Sequence, residues 1–317
     1  RKPGQSRYTT ARKEGDLVEI LSGVFEGKTT GTPISLMVRN TDQRSRDYGN
    51  LAYSYRPGHA DFTFDAKYGF RDYRGGGRSS GRETIGRVAA GAIASRILET
   101  LGISFCTYTK SIGPVEITDF DAEEITRNAF YMPDASAASA AGAYLEECMK
   151  NQDSAGGIIE CRIKNVPAGL GNPVFEKLDA VLAQAVMSIG AVKAVEIGDG
   201  FQVSRMKGSE DNDGFHTENG QITKTSNHAG GIMGGISDGS EIVLRAAVKP
   251  TPSISQPQNT VTKDGSELSL EIHGRHDPVI VPRAVVVVES MCALAITDAL
   301  FSNMTSRMDS IQKFYQK

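Results

Sequence analysis

An arginine- and glycine-rich stretch at residues 71–87, RDYRGGGRSSGRETIGR, has the composition of an anion-binding site. Glycines let the backbone approach a ligand closely, and guanidinium groups bind phosphates and carboxylates through paired hydrogen bonds. Ser80 and Glu83 have the spacing of a capping box, and the start of a helix favours anions. The stretch therefore predicts a site for a phosphorylated ligand, and a solvated arginine loop is the alternative. Its five arginines are Arg71, Arg74, Arg78, Arg82 and Arg87.

The segment YRPGHAD carries a histidine that could act as an acid. Pro57 and Gly58 fix the backbone just before His59, so the imidazole is presented from a defined loop. Near neutral pH a histidine donates a proton or stabilises negative charge, and the neighbouring arginines suit an anionic ligand. A histidine without a catalytic role is the alternative interpretation of this loop.

Three further stretches could contact such a ligand. The segment SNHAGGIMGGI, residues 226–236, has four glycines in six positions, although tight turns explain them equally well. The segment KPTPSIS, which begins at Lys249, combines a cation with prolines and hydroxyls and is either a phosphate cradle or a polar strand exit. Asp277, in RHDP, is either a carboxylate beside a cofactor or a helix cap.

The periodicity of apolar residues predicts an α+β fold that positions these stretches. Because the strands do not alternate strictly with helices, we expect antiparallel sheet covered by long helices. Residues 207–227 are polar without an apolar period, which predicts a mobile loop able to cover a site. Helices are predicted over residues 82–101 and 134–150, from Asn172-Pro173 onward, and over 283–308. Strands are predicted at residues 17–23, 33–38, 103–110, 157–166, 192–197, 242–248 and 267–272.

The composition argues against a nucleic-acid-binding or membrane protein. The sequence has 317 residues, 39% of them hydrophobic, and a net charge of −3, so its basic character is local. No run approaches the roughly 18 apolar residues of a membrane span. The four cysteines lack the spacing of metal ligands and indicate free thiols in a reducing compartment. We therefore predict a cytoplasmic protein that binds no nucleic acid, no membrane and no metal.

Several long motifs, taken in order, closely resemble the chorismate synthase family. They extend over nearly the whole chain and are YRPGHADFTFDAKYGFRDYRGGGRSSGRET, VPAGLG, VEIGDGF, SNHAGGIMGGI, KPTPSIS and GRHDP. The resemblance implies a single large catalytic domain over residues 1–317. It also implies the family's α+β fold, a β-α-β sandwich of antiparallel sheets and long helices, assembled as a homotetramer.

The resemblance further implies a lyase of the shikimate pathway, which leads to the aromatic amino acids. Family members convert 5-enolpyruvylshikimate 3-phosphate to chorismate and phosphate by an anti-1,4-elimination. They need reduced FMN although the reaction involves no net oxidation. The flavin lends an electron as the phosphate leaves and recovers it as the ring hydrogen is lost. The phosphate and two carboxylates of this substrate agree with the local excess of arginine. NADPH would serve only as a reductant, and the sequence leaves open whether the chain or a separate flavin reductase uses it.

The family's site residues are carried over through these motifs. His59 corresponds to the histidine near the flavin and the substrate, a candidate acid, and Asp277 to the carboxylate near the flavin's reactive nitrogen, a candidate proton relay. Arg1 and Arg7 correspond to basic positions linked to the phosphate of the substrate or of NADPH. The resemblance implies that FMN contacts Arg78, Ser79, Ser80, Gly190, Ala191, Gly234, Lys249, Pro250, Thr251, Pro252, Ser253 and Arg275.

The sequence departs from the family pattern at its start. The family motif Gly-Glu-Ser-His-Gly, which carries a second histidine, is absent from the sequence. Because the sequence begins with Arg1 rather than Met, we expect this motif upstream. A protein that lacks the motif should have severely impaired turnover.

Two other functions are weighed against the synthase. One is a single-stranded RNA-binding module that uses the RGG-like residues 74–78 with Tyr68 and Tyr73, although the acidic net charge argues against it. The other is a flavin-independent phosphosugar enzyme that uses the same anion site.

Overall fold

The computed structural model describes residues 2–10, 15–40, 51–74, 77–272 and 277–316, apart from the side chains of residues 78 and 221. Contacts divide the chain into two compact units. The first comprises Arg1–Ala89, Lys110–Gly157 and Lys249–Ala284, and the second comprises Ala90–Thr109, Ile158–Val248 and Val285–Lys317. Each unit contains helices and antiparallel strand pairs, in agreement with the α+β class predicted from the sequence.

Strands and helices are numbered in chain order among the described residues. The strands are β1 (Val18–Ile20), β2 (Val24–Phe25), β3 (Lys28–Thr29), β4 (Leu36–Val38), β5 (Ser104–Ile112), β6 (Val115–Glu116), β7 (Gly157–Lys164), β8 (Val192–Ile197), β9 (Phe215–Glu218), β10 (Gln221–Lys224), β11 (Ile232–Met233), β12 (Ile236–Ser237), β13 (Ile242–Val248), β14 (Gln258–Val261) and β15 (Glu267–Leu270). The α-helices are α1 (Asp61–Tyr68), α2 (Thr84–Glu99), α3 (Ala135–Lys150), α4 (Leu178–Met187), α5 (Gly208–Asp211), α6 (Val281–Asn303) and α7 (Met308–Tyr315).

The first unit contains helix α3 and several short strand pairs. β1 pairs with β4, β2 with β3, β14 with β15, and β6 with the last residues of β5, all antiparallel. The alanine-rich sequence of α3 gives the helix a buried face that includes Ala141 and Leu145. Asp134 caps α3, because its carboxylate accepts hydrogen bonds from the amides of Ser136 and Ala137 at 2.9 and 3.0 Å.

The second unit is built on a sheet with the strand order β5, β7, β13, β8. β13 and β8 are antiparallel, and alternate residues of β13 are buried, as expected for a strand with one face against a core. α4 packs against β8, and Cys292 of α6 contacts Cys161 of β7. The sheet, α4 and α6 therefore share one apolar core in this unit.

Helix α6 is long and apolar enough to cross a membrane by length and composition, which the sequence pattern did not predict. Its most apolar window has a mean hydropathy of 1.9, and half of that window is buried in the protein. Within the second unit, α6 packs closely on α2, because a Cβ at Gly91 would overlap Ser290. The burial of Val288, Cys292 and Ile296 is typical of a core helix, which passes the same test of composition.

Two predicted helices have different boundaries in the structure. Helix α4 begins at Leu178 rather than after Asn172, because the Asn172 amide donates to the Glu176 carbonyl at 2.9 Å and forms a turn instead. The helix predicted over residues 283–308 is α6, which ends at Asn303, and a separate helix, α7, begins at Met308. Arg307, the N-cap of α7, has an extended backbone, so the two helices are not continuous.

The polar segment 207–227 has regular structure, contrary to the prediction of a mobile loop. It contains α5 and the hairpin β9–β10, whose turn at Asn219 and Gly220 has positive φ at both residues. The described strand residues are largely exposed, so no apolar alternation marks these strands in the sequence. Helix α1 was not predicted for a related reason: its one buried residue is the polar Asp61.

Candidate active site

His59 lies in a closed loop, residues 56–61, which we call the histidine loop. The carboxylate of Asp61 accepts hydrogen bonds from the Arg56 backbone amide at 3.1 Å and from its Nε and Nη2 at 2.8 and 2.9 Å. The His59 amide donates to the Arg56 carbonyl at 3.3 Å, and Gly58 adopts a φ of +69°. The ion pair and the start of α1 together fix the backbone that presents the imidazole.

The His59 ring has a partner for each nitrogen. Nδ1 lies 2.9 Å from the Pro57 carbonyl oxygen, and Nε2 lies 2.8 Å from the Oγ of Ser253. Because a carbonyl only accepts, Nδ1 carries a proton in this contact. Nε2 accepts from the Ser253 hydroxyl when the ring is neutral and donates to it when the ring is charged.

Residues 249–253, which we call the proline run, lie against the histidine loop within the first unit. The Nζ of Lys249 donates to the Gly58 carbonyl at 2.7 Å, across 191 positions of sequence. A Cβ at Gly58 would lie 2.7 Å from the Cβ of Pro252, so this approach requires glycine. The two segments thus bring together the cation of Lys249, the hydroxyl of Ser253 and the imidazole of His59.

Thr251 leaves hydrogen-bonding capacity within the proline run. Its Oγ1 is buried without a hydrogen-bond partner among the described residues. Its carbonyl accepts from the Oγ of Ser154 at 2.7 Å, which holds the backbone in place. A buried unpaired hydroxyl is unfavourable, so Thr251 is a candidate hydrogen-bond donor to an oxygen or nitrogen acceptor of a ligand.

Arg71 is a structural residue rather than a ligand-binding one. Its side chain is 4% exposed and forms an ion pair with Asp65. Its Nη2 also donates to the carbonyls of Leu51 and Ser54 at 2.9 and 2.8 Å. Within the predicted anion-binding stretch, Arg71 is therefore used by the protein itself, because acidic residues upstream in the sequence bind it.

Three more arginines of this stretch are paired with protein groups. Their ion-pair partners are Asp72 for Arg74, Asp16 for Arg82 and Glu83 for Arg87. Gly75, Gly76 and the side chain of Arg78 lie outside the described residues. Of the two arginines in the RGG-like residues 74–78 that supported the RNA-binding alternative, Arg74 is thus paired with a carboxylate.

Ser79 and Ser80 lie at the start of α2, as the sequence predicts. Two 3₁₀ turns, Gly77–Ser79 and Gly81–Glu83, lead into the helix. Ser80 is the N-cap of the second turn, but its Oγ accepts from the Arg82 amide at 3.3 Å rather than from the Glu83 amide that the predicted capping box requires. Glu83 pairs with Arg87 four positions later. The amides of Ser80, Glu83 and Thr84 donate to carbonyls within these turns, and Ser79 is exposed beside them.

Asp277 is held by two protein groups. Its Oδ1 accepts from the Thr10 amide at 2.7 Å, and its Oδ2 pairs with the Nη1 of Arg283 at 2.5 Å. The carboxylate thereby ties the segment 2–10 to the first turn of α6. Arg275 and Arg1 lie outside the described residues, so the contacts predicted for them stay predictions.

Arg7 lines a cavity of about 450 Å³ in the first unit. Its guanidinium pairs with Glu146 and donates to the Tyr8 hydroxyl at 2.5 Å. Both charged side chains are more than half exposed. An exposed ion pair contributes at most about 1 kcal/mol, so a phosphate could compete with Glu146 for this guanidinium.

In the second unit, Gly190, Ala191 and Gly234 present backbone that is open to a ligand. Ala191, directly before β8, has a φ of +74°, which is unfavourable for a residue with a Cβ and often occurs at functional sites. A Cβ at Gly190 would meet nothing within 4 Å. Gly234 and Gly235 form the turn between β11 and β12 with positive φ, and the space beside Gly234 is also open.

A buried ionic cluster binds the backbone of His228 and Ala229, which precede this turn. The cluster was not predicted from the sequence. The Nζ of Lys224 lies 2.7 Å from Asp238 and 3.3 Å from Asp213. Asp213 also accepts from the amides of His228 and Ala229 at 2.8 and 3.0 Å. Burial raises the pKa of Asp213, but these donors and the Ser226 hydroxyl outweigh burial and hold it well below its usual value. The signal in the sequence is the concentration of Asp, Asn and Ser around the glycines.

The chain is similar to known proteins in both sequence and fold. Residues 1–301 match the family model of chorismate synthase. The chain is 62% identical over 319 residues to a chorismate synthase of Agathobacter rectalis and 64% identical over 321 residues to one of Lachnoclostridium phytofermentans, covering all of this chain and 87% of each relative. A crystal structure of chorismate synthase matches with a TM-score of 0.72 and 33% identity, covering 94% of this chain and 82% of that one. This likeness confirms the predicted fold class.

Proposed function

The chain belongs to the chorismate synthase family, and on that premise we propose that it converts 5-enolpyruvylshikimate 3-phosphate to chorismate and phosphate with reduced FMN. In this elimination the carbon–oxygen bond to the phosphate breaks, a ring hydrogen leaves, and a second ring double bond forms. The protein must therefore bind one phosphate and two carboxylates and stabilise the charge that develops as the phosphate departs.

The observation that carries this proposal is the contact between the histidine loop and the proline run. It joins the ammonium of Lys249, the Ser253 hydroxyl and the His59 imidazole in the first unit. A cation and a histidine with fixed orientation are the groups that a departing phosphate requires. His59 as an imidazolium would hold a proton on both nitrogens, and loss of the Nε2 proton leaves the hydrogen bond from Nδ1 to the Pro57 carbonyl intact.

Three of the residues assigned to FMN have features that support the assignment, each within its own unit. Thr251 has a buried hydroxyl without a hydrogen-bond partner in the described part of the chain, Ala191 has a positive φ, and Gly234 has open space beside it. When bound, reduced FMN would supply a transient electron, while the protein supplies orientation and charge. The residues we assign to its binding are Arg78, Ser79, Ser80, Gly190, Ala191, Gly234, the proline run and Arg275.

Family membership also supports a homotetrameric flavoprotein of the cytoplasm. We propose NADPH only as the reductant of the flavin, used by this chain or by a separate flavin reductase. Arg1 and Arg7 would bind the phosphate of NADPH or of the substrate. Asp277, whose Oδ2 accepts from Arg283, would relay a proton near the flavin.

Anaerobic phosphate release by the intact protein tests the proposal. With reduced FMN, we expect chorismate and phosphate in equal amounts and no net consumption of reduced flavin. Adding substrate to the protein with reduced FMN should change the flavin spectrum. Absence of both phosphate release and the spectral change would overturn the proposal. Steep salt-dependent RNA affinity without flavin binding would instead favour the RNA-binding module.

Two variants separate flavin binding from catalysis. His59→Ala should lower turnover by about 10²–10⁴-fold while reduced FMN still binds, because a general acid contributes about that factor. Arg78→Ala should weaken flavin affinity more than it changes the melting temperature. Wild-type turnover of His59→Ala would exclude it as the acid, and unchanged FMN affinity of Arg78→Ala would exclude that contact.

A further inference from the structure

A row of five alternating charges, which we call the charge chain, leads away from the histidine loop within the first unit. Arg56 binds Asp61 at 2.8 Å, and Asp61 lies 3.5 Å from the Nε of Arg71. Arg71 pairs in turn with Asp65, and Asp65 lies 2.9 Å from the Nζ of Lys263. The chain contains three cations and two carboxylates, which leaves one positive charge in excess.

The charge chain is buried along most of its length. The side chains of Arg56, Asp61, Arg71 and Asp65 are 4–13% exposed. Burial raises the pKa of Asp61, but its hydrogen bonds and ion pair with Arg56 outweigh burial and keep it below the usual value. Burial also raises the pKa of Asp65, but Lys263 and Arg71 outweigh burial and lower it, so both carboxylates are ionised near neutral pH.

Stability alone is a poor explanation for such an arrangement. The desolvation of buried ions offsets much of their attraction, and apolar residues of similar volume often stabilise a protein as well or better. A buried ionic network does restrict geometry, because each group must satisfy several partners at once. The feature that needs fixed geometry here is the loop between Arg56 and Asp61, which carries His59.

Asp61 controls that loop through contacts at its two ends. Its carboxylate holds both the backbone amide and the guanidinium of Arg56. The carbonyl of Arg56 in turn accepts the His59 amide. Arg71 connects the same region to the preceding segment through the carbonyls of Leu51 and Ser54. Movement of Asp61 would therefore shift the His59 ring relative to Ser253.

We propose that Asp61, supported by Arg56 and Arg71, is a positioning residue that sets the orientation of the His59 imidazole toward the proline run. This inference rests on the proposed function, in which His59 is the acid. It predicts that loss of Asp61 affects turnover through His59 and leaves the affinity for reduced FMN nearly unchanged.

A double-mutant cycle in the intact protein tests the inference. At saturating substrate and reduced FMN, Asp61→Asn should lower kcat at least tenfold, with the dissociation constant for reduced FMN within about threefold of wild type. If Asp61 acts through His59, the double variant Asp61→Asn/His59→Ala should have the same kcat as His59→Ala alone, within about threefold. Asp309→Asn is the matched control: Asp309 is an exposed carboxylate that also pairs with the Nε and Nη2 of an arginine, Arg307.

The outcomes separate the inference from the proposed function. Wild-type kcat for Asp61→Asn, with His59→Ala impaired, would overturn the inference alone. Multiplied losses in the double variant would also overturn it, because Asp61 would then act independently of His59. Wild-type kcat for His59→Ala would instead refute the role of the histidine. If Asp61→Asn does not fold, Arg56→Gln is used instead, because it keeps the backbone contact with Asp61 and removes only the guanidinium hydrogen bonds. The same double-mutant cycle with His59→Ala then tests whether the effect on kcat acts through His59.

Discussion

The Nε2 of His59 lies 2.8 Å from the Oγ of Ser253, although 194 positions of sequence separate the two residues. The opposite ring nitrogen is held by the Pro57 carbonyl, so the ring cannot rotate without losing a hydrogen bond. A hydroxyl can donate to the neutral imidazole and accept from the charged one. Ser253 therefore keeps the ring in one orientation in both protonation states.

Removal of the Ser253 hydroxyl should lower turnover even when flavin is saturating. In Ser253→Ala, Nε2 loses its partner, and we expect kcat to fall about tenfold, a part of the full contribution of a general acid. Ser253→Thr keeps a hydroxyl and should recover most of that loss. The measurement is kcat at saturating reduced FMN and substrate. Full recovery of Ser253→Ala by added flavin would mean that Ser253 serves only to bind the cofactor.

The histidine loop and the proline run could each be predicted from the sequence, but the contact between them could not. Glycine, proline and hydroxyl residues at short spacing mark the histidine loop and the proline run locally. The glycine at position 58 even has a local signature, although the reason for it, Pro252, lies far along the chain. Pairing of distant segments depends on tertiary packing, which short-range patterns do not encode.

Local sequence patterns also gave a wrong interpretation where a charged side chain can bind either a ligand or another protein group. The arginines of residues 71–87 suggested a ligand site, yet Arg71 is bound by Asp65 and by backbone carbonyls. Nothing in residue types alone decides whether a guanidinium meets a ligand or a neighbouring carboxylate. Similarly, Asn172 and Pro173 have the types of a helix start, but the Asn172 amide is used in a turn.

Two motifs of the second unit, IGDGF and SNHAGG, meet through glycines. A Cβ at Gly198 would overlap the His228 carbonyl, and Gly198 has a φ of +59°. Gly198→Ala should therefore destabilise the protein by about 3 kcal/mol, from left-handed backbone and overpacking together. Gly220→Ala is the control, because its φ is +79° but its surroundings are open. Urea unfolding should show a loss of only about 1 kcal/mol for the control, and equal losses would contradict the packing argument.

The N-cap of α3 should be important for stability and sensitive to acid. The buried carboxylate of Asp134 accepts amides from Ala137 and Ser136 and also from Thr118 and Asp119. Led by the Ala137 amide, these bonds hold the pKa of Asp134 well below its usual value. Asp134→Ala should cost about 2–3 kcal/mol at pH 7.

The sign of its pH dependence follows from the lowered pKa. The stability that ionised Asp134 contributes is present above its unfolded pKa of about 3.9 and is lost as the pH falls toward the folded value. Urea unfolding should therefore show a smaller difference between wild type and Asp134→Ala at pH 3 than at pH 7. An equal difference at both values would mean that ionisation of Asp134 contributes nothing.

The ion pair between His228 and Asp199 should give the second unit the opposite pH dependence. Nδ1 of His228 lies 2.7 Å from Asp199 Oδ2. This hydrogen bond, with the negative charges of Asp199, Asp213 and Asp211, raises the pKa of His228. Its contribution is fully present below the unfolded pKa of about 6.5 and is lost as the pH rises through the folded value.

His228→Gln tests this dependence directly, because glutamine is polar but does not titrate. The stability advantage of wild type over His228→Gln, measured by urea unfolding, should be larger at pH 5.5 than at pH 9. The same comparison in an Asp199→Asn background should show little change with pH, since the main partner has lost its charge. A pH-independent advantage in the wild-type background would mean that His228 supports the loop by packing alone. A persistent dependence in the Asp199→Asn background would assign the shift to Asp213 and Asp211 instead.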